Sequence, residues 1–291
     1  MMITANLVKE LREKTGAGML DCKKALEATS GNIEEATDWL REKGISTAAK
    51  KEGRIAAEGL VHIVYNDKKA SIVELNSETD FVASNEEFID LVKRTANLVL
   101  DNDIKTVDEA LTLKIDDVTL NDLIISKIAK IGEKLSFRRF ESIELNDNEV
   151  FGIYIHNTKK IAVIIVLEGA NEEVAKDIAM HAAAMRPKHI RKEDVSVEEI
   201  EKEREIQKQL AINEGKPADI AEKMVEGRIN KHFKEICLEG QEFIKNNDLT
   251  VLEYVKNNNG IIKKMVRYEV GEGMEKRCDN FAEEVMNQIK R

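Results

Sequence analysis

The chain repeats itself, and this constrains its fold more than any other feature. Residues 59–75, GLVHIVYNDKKASIVEL, and 151–169, FGIYIHNTKKIAVIIVLEG, follow one plan. Each has a β-branched run, a polar turn (Asn66-Asp67 or Asn157-Thr158), a Lys-Lys pair and a second β-branched run. That order predicts a β-hairpin. Each hairpin leads to Asn-Glu-Glu and a helical stretch. Asn85-Glu86-Glu87 opens FIDLVKRTANLVL, and Asn171-Glu172-Glu173 opens VAKDIAMHAAAM. The later runs KLSFRRFESI and IIKKMVRYEV are suited to add a strand to each half. The result is an α+β fold with two related antiparallel sheets, each carrying helices on one face.

The two copies differ in one place. From the second lysine of the turn to the asparagine is 16 residues in the first copy and 11 in the second. The five extra residues fall in NSETDFVAS, where sheet hands over to helix, and the second copy builds the same unit without them. An added exposed loop is a functional hint. Phe81 lies in it between Asp80 and Val82. The ring either tucks back to staple the loop or serves binding, and the pattern does not separate the two.

Outside the repeat lie three further blocks. Ile3, Leu7, Val8 and Leu11 recur at helical spacing, TGAG at 15–18 breaks the helix, and a second helix carries Ala25 and Leu26. A third follows the cap Gly31-Asn32 with Ile33, Ala36, Trp39 and Leu40 as its stripe, closing a three-helix module at 1–44 before a linker at 45–57. Residues 195–244 read as a helical hairpin inserted in the second half, turning at Gly215-Lys216-Pro217. Ile200, Ile206 and Leu210 on one arm and Ile220, Met224, Ile229 and Phe233 on the other give only a narrow apolar seam. Such a hairpin packs back on its own domain or pairs with a second copy as a homodimer, and the pattern leans slightly to pairing. Phe281, Val285 and Ile289 mark a C-terminal helix.

Composition narrows the function classes. The chain has 291 residues, enough for two or more domains, and a net charge of -10 that opposes direct nucleic-acid binding. No apolar run is long enough to span a membrane and the start has no signal-type core, so a cytoplasmic protein is expected. Cys22, Cys237 and Cys278 are scattered and outside any CxxC, and the five histidines include no HExxH, so reduced structural thiols and no metal are expected. The one Gly-Lys, at 215–216, lacks the spacing of a phosphate loop, and GAG and GEG are too short for a dinucleotide fingerprint. No cofactor and no active site for covalent chemistry are expected. What remains is a surface for a partner. Met19-Leu20, after the glycine turn, is core or exposed at even odds, and His156 at the second hairpin tip reads more simply as a turn residue.

LVKELREKTGAGMLDCKKAL, TDFV at 79–82, KIGE at 130–133, GKP at 215–217, IAEKMVEGR at 220–228 and RYEVGEGMEK occur here in one order over nearly the whole chain. In these motifs the chain closely resembles the bacterial elongation factor Ts family. The resemblance implies guanine-nucleotide exchange on elongation factor Tu. It implies an N-terminal ubiquitin-associated-like (UBA-like) domain, core subdomains at 58–145 and 146–194 with 245–270, the hairpin as a dimerisation element, and a C-terminal module at 271–291. Carried over residue by residue, it places Thr79, Asp80, Phe81 and Val82 against the partner's nucleotide-binding domain. It adds Arg12, Met19 and Leu20 from the N-terminal module and His156 from the second subdomain. Position 20 is Leu where a second Met is common, and the turn at His156 is longer and more basic than the family's. The rival reading is a UBA-like adaptor or chaperone module without exchange activity.

Overall fold

The computed structural model describes residues 3–15, 17–215 and 218–275. The expected C-terminal helix and Cys278 lie outside them, as do Lys216 and Pro217 of the hairpin turn. The described chain is a mixed α+β fold in two compact units, one running to Ile143 and resuming at Tyr268, the other Glu144–Arg267.

The first unit opens with α1 (Ala5–Thr15), α2 (Met19–Ala28) and α3 (Ile33–Lys51). Val8, Leu11, Cys22, Ala25, Leu26 and Ala36 form their common core. Asn32 caps α3, its Oδ1 accepting the N–H groups of Glu34 (3.0 Å) and Glu35 (3.3 Å). The module boundary expected at Gly44 falls inside α3, and the helix continues through much of the expected linker. Gly44 is not a stop but a position facing α7: a Cβ on it would make ordinary van der Waals contact, 3.4 Å from Ile125 Cγ2 and 3.8 Å from Ala129 Cβ. The helix continues because its second half has a neighbour to pack on, and Ala48 reaches the core below.

That core lies between a hairpin and helices. Strands β1 (Glu58–Tyr65) and β2 (Lys69–Ser77) pair antiparallel from Glu58↔Ser77 to Tyr65↔Ala70. After the short helix α4 (Asp80–Ala83) comes α5 (Glu86–Asp101), capped by Asn85 and burying Phe88, Leu91, Val92, Thr95, Ala96 and Val99 at helical spacing. Then follow α6 (Val107–Thr112), a small ribbon β3 (Lys114–Ile115) and β4 (Val118–Thr119), α7 (Leu120–Ile131) and β5 (Leu135–Glu144). The sheet order is β1-β2-β5, so the run expected to complete this half does so.

The second unit follows the same plan. β6 (Glu149–Ile155) pairs antiparallel with β7 (Ile161–Glu168), and α8 (Glu172–Met185) follows under the cap Asn171. A Cβ on Gly152 would fall 2.0 Å from Ala175 O, so α8 sits directly on β6 where no side chain intervenes. The long helices α9 (Val197–Asn213) and α10 (Ala218–Ile236) form the hairpin. Beyond it come β8 (Glu242–Phe243), β9 (Asn246–Thr250), α11 (Val251–Asn257) and β10 (Ile261–Glu269), which completes the sheet in the order β10-β7-β6.

Two hairpin details correct the expectation. Its helical part ends at Ile236, not near 244, because Phe243 is 1% exposed within the core of Val163, Ile165, Ile178 and Val255. Among the described side chains of the seam, Ala211, Val225 and Ile229 are buried, Met224 is half-buried, and Ile206 (44% exposed) and Leu210 (46%) turn outward. Ile200 and Phe233 pack at the base against Val195, Ile236 and Cys237, and the side chain of Ile220 is outside the described set.

Candidate functional site

The five extra residues of the first copy build a pedestal. Glu78 to Ser84 stand between β2 and the cap Asn85, whereas only Gly169 and Ala170 stand between β7 and the cap Asn171. The segment is not the open loop expected from sequence: its centre is the single helical turn α4. Four residues cannot hold a helix alone, so both ends must be tied down. At the far end Val82 and Ala83 are buried in the first unit's core, and the Ser84 N–H and Oγ both donate to Asp80 O at 3.1 Å. At the near end the Thr79 side chain accepts the Val82 N–H, while the Ser77 hydroxyl donates to Thr79 O at 2.9 Å.

With α4 fixed in this way, Asp80 and Phe81 face solvent, and Phe81 is 84% exposed. Phe81 is therefore not a staple of the loop. Its ring stands in solvent on a turn whose backbone is anchored, leaving apolar area uncovered within the chain.

The N-terminal candidates lie on the three-helix bundle, apart in sequence from α4. Met19 (60% exposed) and Leu20 (73%) open α2, and Arg12 on α1 is exposed as well. Gly18 precedes them as an N-cap without a side-chain bond. Asp21 follows, paired with Lys43 at 2.6 Å, and that ammonium lies 5.1 Å from the Trp39 ring centre. Both large apolar residues thus lie outside the core, which decides the even odds.

His156 belongs to the second unit, at the tip between β6 and β7. Its carbonyl accepts the Lys159 N–H at 2.7 Å, Lys159 takes a left-handed φ of 55°, and its Nδ1 lies 2.8 Å from Thr158 Oγ1. The ring is half-buried and makes the turn's own bonds, so the local geometry is that of a turn residue that still presents one edge.

Sequence reasoning passed over the supports of α4. Glu133 accepts the Thr79 N–H at 2.9 Å and the Thr79 hydroxyl at 2.7 Å, through its two different oxygens. Glu78 accepts the Lys134 N–H at 2.6 Å and pairs with Arg54 at 3.3 Å. The available signal was KIGE, which carried resemblance but had no role. A second buried knot closes the end of the first unit: Glu74, fully buried, pairs with Arg138 (2.9 Å) and Arg139 (2.6 Å) and accepts the Gly271 N–H at 2.9 Å. It ties the RYEVGEG stretch to the sheet.

Neither of the two described thiols has the lowered pKa of a reactive one. Burial pushes Cys22 up from its ordinary pKa, and Cys237, buried amid Asp194, Glu193, Glu199 and Glu239, is pushed up to about 11. Among the described residues no three His, Cys, Asp or Glu side chains are grouped to hold a metal, and no described helix is long and apolar enough to cross a membrane. A family model described as Elongation factor TS matches residues 78–272 of the chain.

Proposed function

The chain belongs to the elongation factor TS family, and from that premise we propose that it is a bacterial, cytoplasmic guanine-nucleotide exchange factor for elongation factor Tu. It performs no covalent chemistry. Exchange arises from coupled binding: factor and nucleotide each weaken the other's hold on the GTPase, and the penalty is mutual. The observation that carries the reading is the Phe81 ring, almost fully in water on a turn whose flanks are buried and bonded. Phe81 enters between helices of the nucleotide-binding domain near the magnesium site, and Asp80 helps hold the displaced arrangement. Thr79 and Val82 set that pair from either side. Magnesium bridges nucleotide phosphates and protein oxygens, so a small shift of its ligands loosens the nucleotide.

Arg12, Met19 and Leu20 add affinity from the N-terminal bundle, read as a UBA-like domain, and His156 adds a contact from the second of two related core subdomains. The outward Ile206 and Leu210 give the hairpin an apolar stripe for a second copy, as in a homodimer. The test is release of fluorescent GDP from elongation factor Tu with and without this protein. A non-exchanging adaptor would leave the release rate at its spontaneous value.

A further inference from the structure

We infer that Glu133 is a positioning residue for exchange, holding α4 through Thr79 and so fixing the direction in which Phe81 is presented. The inference rests on the exchange reading above. α7 ends at Gly132, which takes a left-handed φ of 85° and donates its N–H to Ile128 O at 2.9 Å. This left-handed turn stops the helix and delivers Glu133 and Lys134 beside Glu78 and Thr79 before β5 begins. The two pairs then clasp each other in both directions: Glu78 takes the Lys134 N–H, and Thr79 gives its N–H and hydroxyl to Glu133.

The clasp matters because the cap on α4 is weak by itself. The Val82 N–H reaches Thr79 Oγ1 at 3.5 Å, long for a hydrogen bond, whereas the bonds to Glu133 are 2.9 and 2.7 Å and charge-assisted. Thr79 is thus held more firmly by the end of α7 than by the turn it caps. Freed from Glu133, it would let the near end of α4 tilt while Val82 and Ala83 stay anchored in the core. Phe81, between the free end and the anchored end, would change direction without being lost.

The test is a cycle on the full-length protein using Glu133→Ala, Glu133→Gln, Phe81→Ala and the doubles, with GDP release from elongation factor Tu followed against factor concentration. Glu133→Ala should lower the maximal stimulated rate on the order of tenfold, as expected for loosening a charge-assisted hydrogen bond. Its half-saturating concentration should change far less, because the other contact surfaces remain. Glu133→Gln keeps one acceptor oxygen and should fall between. The double variant with Phe81→Ala should be no slower than Phe81→Ala alone, since both act through one ring. A wild-type maximal rate in Glu133→Ala, a change confined to half-saturation, or a double that multiplies the two single losses would overturn the inference. If Glu133→Ala melts below the assay temperature, the same cycle with Glu133→Gln decides. A full rate in Phe81→Ala by itself would sink the wedge reading, and this inference with it, without reference to Glu133.

Discussion

Phe81→Ala separates a binding ring from a folding one. With Phe81 84% exposed, removal of its ring takes little buried area from the folded chain, and alanine keeps α4 helical. The anchors Val82 and Ala83 and the bonds to Thr79 are untouched. A surface change of this kind costs within about 0.5 kcal/mol, which for a protein of this size moves the thermal midpoint by about 2 °C or less. Covering the ring in a partner is worth about 1.5–3 kcal/mol. If that contact forms mainly in the nucleotide-weakened complex, its loss slows stimulated release roughly 10–150-fold. Stopped-flow release of fluorescent GDP at saturating factor measures the rate, and circular dichroism measures the melt. A variant that melts many degrees early would contradict the exposure, and a well-folded variant with full exchange would remove the wedge.

The hairpin gives a second test: Ile206→Glu places a charge at an outward position and should leave the monomer's melt unchanged while shifting a dimer toward monomer in light scattering. A wild-type mass that is already monomeric would make the hairpin an appendage. Removing residues 1–54 should weaken complex formation and leave a folded core that melts several degrees early, because the α7 face under Gly44 and Ala48 is uncovered. An unchanged melt would mean that this packing contributes nothing. His181 supplies a pH test. Fully buried, it accepts the Ile244 N–H at Nδ1 (3.2 Å), leaving Nε2 to donate to Gln241 Oε1 (2.9 Å), and burial lowers its pKa. Its contribution to stability is therefore complete above the unfolded value of about 6.5 and declines as pH falls from there toward the lower folded value. Denaturant midpoints should drop from pH 7.5 to 5.5, and His181→Gln should flatten that slope; an equal slope in both would refute it.

The parts of the fold legible in the sequence are those written in local chemistry. β-branched runs about Asn-Asp and Asn-Thr turns gave the two hairpins, and the Asn85 and Asn171 caps gave the helices that follow. Phe81 was legible as a place because one copy has residues that the other lacks. Its exposure was not, since burial depends on where α4 lies over α5 and β2. Gly44 misled because a glycine between a helix and a polar stretch resembles a stop unless the helix that packs on the following turns is known. Residues 102–131 went unread as elements, although Leu120, Ile124 and Ile128 stand at helical spacing and are buried in α7. Phe243 lay within the expected hairpin, and only the core of the second unit shows that the chain has already returned.

The supports of the candidate site belong to a different class of information. Thr79 and Glu133 are 54 residues apart and Glu78 and Lys134 are 56 apart, so no window of sequence contains either pair. The same knot takes in the end of the N-terminal module, for Arg54 pairs with Glu78 and the Lys134 ammonium reaches Arg54 O at 3.0 Å. α3, 19 residues and about 28 Å long, therefore runs from the bundle that bears Met19 and Leu20 to within a few residues of the segment that bears Phe81. A helix packed on α7 along its second half transmits orientation better than a linker would. It follows that the apolar pair at the start of α2 and the ring on α4 are presented by one continuous scaffold. Docking of either then limits the directions open to the other, so their contributions to binding should not be independent.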